Sequence, residues 1–215
     1  MAAPKSGTRE RLLDAAEHLF ATKGYEGAST RDIVAKSGDT IGSVNYHFGS
    51  KQVLLDEVIA RRWHVIADAR NKAYATACEQ HGGPAPIGDV VKAIVLPYLK
   101  MAMRGGEAWR SYMMLQARLF YSPETYDEAL RELSEPVARE LIGWMKAALP
   151  DATPENLGYA FQFMIGSTVE SAAEIGLDRI SRITEGACSS KNFEAISRKL
   201  TRFITAGVIA VCETD

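Results

Sequence analysis

The chain has 215 residues, 47% of them hydrophobic and 24% charged, which is material for one large or two small domains with proper cores. A net charge of −2 at pH 7 argues against a nonspecific polyanion binder, and three cysteines far apart in sequence (Cys78, Cys188, Cys212), without a histidine at ligand spacing, argue against a disulfide framework or a zinc site. No apolar run approaches the roughly 20 residues that cross a bilayer, and the opening MAAPKSGTRE lacks the apolar core of a secretion signal, so the expected location is the cytoplasm, with no membrane partner, metal or cofactor.

Taken in chain order, Thr8 is a candidate cap for a helix over roughly residues 9 to 23, with Leu12, Leu13, Ala16, Leu19 and Phe20 on its apolar face and Gly24 stopping it. Ser29 is a favoured N-cap type, and Asp32 three residues on can return the hydrogen bond, so a short helix should begin near Thr30. Ile33 and Val34 give it an apolar side, and Gly38 stands where a chain leaving a helix needs positive φ. Thr40 opens a third helix, in which Ile41, Val44 and Phe48 predict one buried stripe. Gly42, Ser43, Asn45, Tyr46 and His47 are left facing outward. Gly49 and Ser50 then break the chain into a long helix from Lys51, carrying Leu54, Leu55, Val58, Ile59 and Ile66. Two short helices across a tight turn, the second with a polar flank, read as a DNA-binding helix-turn-helix.

The remainder predicts further helices and almost no strand. After the loop His81 to Pro86 comes a helix with Val91, Ile94, Val95, Tyr98 and Met101, which Pro97 should kink and Gly105-Gly106 should end. The next carries Trp109, Tyr112, Met113, Gln116, Leu119 and Phe120 on one side. Ser122-Pro123-Glu124 and Thr153-Pro154-Glu155 each place an N-cap before a proline at the first helical position. Phe161, Ile165, Thr168 and Ala172 mark one long helix, and a last one follows Ser190 with Phe193, Ile196, Leu200, Phe203, Ile204 and Val208. The fold class is therefore all-α: a three-helix helix-turn-helix domain over 6–66, joined by a long helix to a larger helical domain over 67–215.

The run from Thr8 to Ile59 resembles the N-terminal domain of the TetR family of bacterial transcriptional regulators. The resemblance rests on Gly24-Tyr25, the Ser29-Thr30 cap, Asp32-Ile33-Val34-Ala35, Gly38 and Tyr46-His47-Phe48-Gly49-Ser50-Lys51. It covers about a quarter of the chain. Asp39 stands where that family usually has an apolar turn residue, and Asn45 where it most often has tyrosine. The resemblance implies a regulator, by default a repressor, whose divergent C-terminal domain dimerises and binds a small-molecule inducer.

Groove chemistry assigns the outward residues. Most protein–DNA hydrogen bonds go to sugar and phosphate, so the hydroxyls of Thr30, Thr40 and Tyr46, the His47 imidazole and the Lys51 ammonium read as backbone anchors. Arg31 and Asn45 are the candidates for base edges, guanidinium on guanine and carboxamide on adenine, with Ser43 able to do either and Gly42 allowing close approach. Residues 1–70 hold ten basic and nine acidic side chains, so binding must depend on where charges sit rather than on their sum.

Helix-turn-helix proteins commonly dimerise so that two recognition helices meet successive major grooves of a palindromic operator. The last two long helices are the candidates for that contact, as in the resembled family, through Phe161, Gly166, Ser167, Phe203, Thr205 and Val208. Tyr98, Met101, Trp109, Tyr112, Met113, Gln116 and Phe120 form a methionine and aromatic lining suited to a small, largely apolar effector. No nucleophile, base and orienter recur at recognisable spacing, so no catalytic residue is assigned and an enzyme is not expected. The alternative is a helical ligand-binding or scaffolding protein whose helix-turn-helix no longer binds DNA.

Overall fold

The computed structural model describes residues 7–120 and 128–213, and among these the fold is ten α-helices without a strand. They are α1 (Thr8–Gly27), α2 (Thr30–Ser37), α3 (Ile41–Phe48), α4 (Lys51–His81), α5 (Ile87–Arg104), α6 (Glu107–Phe120), α7 (Glu128–Ala148), α8 (Pro154–Leu177), α9 (Arg179–Ile183) and α10 (Phe193–Cys212). Packing groups them into two units. One is the chain up to His64 together with α6; the other is Val65–Gly106 together with the chain from Arg131. The grouping is not two consecutive segments: α6 lies beyond residue 66, yet its buried face of Trp109, Tyr112, Met113 and Leu115 belongs with α1.

Within the first unit, α1 packs on α2, α3 and α6. Its Leu12, Leu13, Ala16 and Phe20 share a core with Ile33, Val44, Phe48, Leu54, Leu55 and Val58, each worth about 1.5–3 kcal/mol of transfer free energy for the large side chains. Helix α1 is interrupted at Gly24, whose φ of 79° and ψ of 168° are open only to a residue without a side chain. Thr8 does not cap it. Gly7 holds the N-cap position with no side-chain bond, and the Thr8 hydroxyl instead accepts from Arg11 Nη2 at 3.0 Å. Charge also joins α1 to α4: Glu17, only 2% exposed, accepts from Arg61 Nη2 at 3.0 Å and from Arg62 Nε and Nη2 at 2.8 and 2.9 Å.

The second unit closes around Val90, Val91, Ile94, Val95 and Leu99 of α5, Leu141, Trp144 and Met145 of α7, Leu157, Ala160 and Met164 of α8, and Ile204 and Val208 of α10. Tyr74 lies flat on Trp144, with ring centroids 4.2 Å apart. Pro97 sits inside α5 and cannot donate to the carbonyl four residues back. One residue on, the Ile94 carbonyl takes the Nε–H of buried Arg70 at 2.9 Å. The Thr153 cap forms as expected, accepting from Asn156 N at 3.1 Å, whereas the Ser122-Pro123-Glu124 device lies outside the described residues. Asn192 caps α10, accepting from Ala195 N at 3.0 Å, and the Ser190 hydroxyl donates to Asp178 at 2.8 Å. Glu170 and Glu174, paired on one face of α8, both grip Arg179 at the start of α9.

Candidate nucleic-acid interface

Helix α2 begins with a reciprocal cap. The Asp32 N–H donates to Ser29 Oγ at 3.1 Å, while Ser29 N–H donates to Asp32 Oδ2 at 3.2 Å; the Ser29 hydroxyl, donating to Asp32 Oδ2 at 2.9 Å, and that Ser29 N–H hold the Asp32 carboxyl below its usual titration range. Gly38 ends the helix in the left-handed region, at φ 75°, its N–H on the Val34 carbonyl. The turn is then fastened from outside: Arg11 Nη2 of α1 donates to Asp39 Oδ1 at 2.6 Å. The guanidinium beside it holds the Asp39 carboxyl low, Ser37 contributing in the same direction. The aspartate that departs from the resembled family's apolar turn residue therefore has a specific partner.

Helix α3 follows directly. Thr40 stands at its N-cap without a side-chain cap bond, its hydroxyl 3.1 Å from that of Ser43. Val44 and Phe48 are buried, but Ile41 is not. It is 49% exposed, which corrects the buried stripe expected at spacings of three and seven: the first turn of α3 projects past the edge of the small core. Gly42, Asn45 and Tyr46 are exposed as expected, Tyr46 at 85%, while Ser43 and His47 are half-buried. The His47 ring meets Tyr46 edge-on at 5.0 Å. On α2, Arg31 is exposed and Thr30 half-buried.

Lys51 is positioned by Tyr25 of the glycine-aromatic turn. Its ammonium lies 4.1 Å from the centroid of Tyr25, the residue after the Gly24 break, and Tyr25 in turn leans on Phe20 at 5.7 Å. The Gly24-Tyr25 pair is legible as a motif, but its task of holding a cation requires the fold. Arg9 plays a comparable part, ion-paired with Glu57 and lying over the Phe48 ring at 5.6 Å. Polar side chains of α3 and its flanks thus stand on a face whose backbone is fixed by one capping box, two ion pairs and two cation–ring contacts.

The other expected residues fall as follows. Tyr98 and Met101 belong to the second unit, and Trp109, Tyr112, Met113 and Gln116 to the first; all but the half-buried Met101 are buried, and the Phe120 side chain is outside the described residues. Burial pushes the Tyr98 hydroxyl far above its ordinary titration range. A groove of about 530 Å³ in the second unit is lined by Ala69, Ala73, Pro97, Met101, Lys100 and Phe193 among others, so of the two stripe residues in this unit Met101 reaches it and Tyr98 does not. A packed core face and a ligand lining take the same residue types, so burial is compatible with either role.

On α8 and α10, Phe203 is 67% exposed and Gly166 is open, while Ser167 and Thr205 are half-buried. Phe161 is half-buried and packs against the core, and Val208 is buried within it, so Val208 is not on an outer surface. Tyr159 and Phe163, one turn apart and both more than half exposed, and the small residues Ala206, Gly207 and Ala210 beside Phe203 are also exposed on these two helices. Their i, i+4, i+7 spacing was the available signal.

Comparison with known proteins agrees with this arrangement. A family model described as bacterial regulatory proteins, tetR family, matches residues 12–58, and one described as tetracyclin repressor-like, C-terminal domain, matches residues 92–207. The transcriptional repressor KstR2 of Rhodococcus jostii is 44% identical over 55 residues, 26% of this chain and 27% of that protein. Across several such curated relatives the chain spans between about a quarter and a half of their length. Among solved structures, the fatty acid degradation regulator FadR from Bacillus halodurans superimposes with a TM-score of 0.67 at 15% identity, over 95% of this chain and 98% of that one. FadR from Bacillus subtilis, solved in complex with stearoyl-CoA, gives 0.62 at 13% identity, over 92% and 98%. At such identities the likeness is one of fold.

Proposed function

The chain belongs to the TetR family of bacterial regulatory proteins, and from that premise we propose that it is a ligand-responsive transcriptional repressor acting as a homodimer on a palindromic DNA operator. The observation that carries the reading is the outward flank of α3, where Gly42, Asn45 and Tyr46 are exposed on a helix whose other side is anchored by Val44 and Phe48. An eight-residue helix presented this way fits the major groove, with Asn45 and Arg31 directed at base edges, Thr30, Thr40, Tyr46, His47 and Lys51 at the backbone, and Ser43 within reach of either. The proposed division of labour places DNA reading in 6–66 and effector binding with dimerisation in 67–215.

A second copy of the chain is the proposed partner for α8 and α10. Tyr159, Phe163 and Gly166 on one, and Phe203, Ala206, Gly207 and Ala210 on the other, leave an apolar and small-residue face in water. Twofold pairing through such faces would bury them, and a palindromic operator would require two α3 helices about one turn of DNA apart, roughly 34–36 Å.

Release would follow from differential affinity. An effector that binds a dimer with misspaced recognition helices more tightly draws protein from the operator, and a few kcal/mol of preference suffices. The groove beside Pro97 and Met101 supports a largely apolar occupant, and the stearoyl chain of the acyl-CoA bound by FadR from Bacillus subtilis is an apolar group of that kind. The test is a mobility shift of duplex DNA from the chain's own upstream region, first alone and then titrated with apolar metabolites. A salt-sensitive, sequence-selective shift that an effector abolishes supports the proposal; no shift at low ionic strength refutes it.

A further inference from the structure

Ile41 holds a position that packing does not explain. Helix α3 has two side chains that fill the core, Val44 and Phe48, while Ile41 at the first turn leaves about half its surface in water. Single exposed aliphatics are ordinary on protein surfaces, so exposure alone assigns nothing. Its place does. Ile41 and Asn45 are four residues apart on one helix and therefore neighbours on one face, with Cβ atoms about 5–6 Å apart. Gly42 beside it has no Cβ, and one built there would meet nothing closer than the Thr40 hydroxyl at 3.9 Å. The backbone at this turn can thus approach a groove floor more closely than elsewhere along the helix, carrying Ile41 with it.

What an aliphatic side chain can recognise there is narrowly limited. The major-groove edges of the four base pairs offer hydrogen-bond donors and acceptors, and one apolar feature, the 5-methyl of thymine. A branched aliphatic pressed against any other edge would strip water from a polar atom without replacing it. We propose that Ile41 is a specificity-determining residue that packs on a thymine methyl group one or two base steps from the pair faced by Asn45. The assignment rests on the reading of α3 as the DNA-facing helix.

The experiment starts from duplexes that the full-length protein itself enriches from a random pool at low salt. The enriched duplex is resynthesised with each thymine of one half-site replaced singly by deoxyuridine, which removes the methyl and leaves every hydrogen-bonding group in place. One such replacement should weaken the wild-type protein about fourfold, the factor that corresponds to burying a single methylene-sized group. Ile41→Ala, carried by both protomers of the proposed dimer, should lose the contact in both half-sites, about sixteenfold on the thymine duplex, and should bind thymine and uracil duplexes alike. Uracil tolerated at every position, or Ile41→Ala weakening both duplexes equally, would overturn the assignment while leaving DNA binding intact. Failure to enrich any duplex would overturn both readings. The deoxyuridine arm requires no protein variant, so it stands even if Ile41→Ala folds poorly.

Discussion

Arg11 of α1 donates to the Asp39 carboxylate at 2.6 Å, tying the first helix to the turn that separates α2 from α3. The pair fastens the turn that leads into α3 to the first helix of its unit. Because Arg11 lowers the Asp39 pKa in the folded state, the contribution is fully present above the unfolded carboxylate value near 4 and is lost as pH falls through the depressed folded value. The acid limb of a urea-midpoint profile should therefore be shallower for Asp39→Asn than for the wild type. At pH 7 the variant should be less stable. Identical profiles for the two proteins would show that the ion pair does not contribute.

Glu17 is the more deeply placed carboxylate, and it carries two arginines. Arg61 also reaches Asp14 and Glu10, but Arg62 has its carboxylate partner in Glu17 alone among the ion pairs of the described residues. Removing one member of a buried pair typically costs about 3–5 kcal/mol, and the alternative acids near Arg61 favour the lower end. Glu17→Gln should thus lower unfolding free energy by about 3 kcal/mol in urea titration. A loss under about 1 kcal/mol would mean that water reaches the pair freely.

For DNA binding, anchors and readers should separate. Lys51→Ala should weaken all duplexes by a similar factor and reduce the dependence of log affinity on log salt by about one ion per protomer. Tyr25→Leu should do part of the same, since the ring steadies the Lys51 ammonium. Asn45→Ala should leave the salt slope unchanged and relax preference at particular base pairs, where a good bidentate contact discriminates by about 1–3 kcal/mol. Binding titrations over a set of single-base operator variants at two salt concentrations measure both effects.

Dimerisation can be challenged on its own. Phe163→Glu and Phe203→Glu each put a charge on an exposed side chain, so the monomer fold should survive while the paired state is lost. Sedimentation velocity should show half the wild-type mass with an unchanged helical signal, together with weakened operator binding. A variant that stays dimeric would move the interface away from these faces.

Much of this arrangement was legible in the sequence because punctuation is local. Ser29 with Asp32, Gly38, Gly49 and Thr153-Pro154 act within four residues of themselves, and each stands where the helices begin or end. What the sequence concealed depends on distant partners. Nothing near Asp39 announces Arg11, 28 residues away, and nothing near Lys51 announces Tyr25. Ile41 matched a buried spacing but lies where the core has run out. Trp109, Tyr112 and Met113 have the chemistry of a ligand lining and the burial of a core, and periodicity alone does not distinguish the two.

The central claim is that the outward flank of α3 meets duplex DNA. The most direct measurement is fluorescence anisotropy of a labelled enriched duplex titrated with the wild type and with Tyr46→Ala, whose side chain is 85% exposed and contributes little to the core. Saturable wild-type binding that weakens with salt, reduced at least tenfold in a variant that melts at the same temperature, is the predicted result. Equal binding by the two proteins, or no binding by either at low ionic strength, would contradict it.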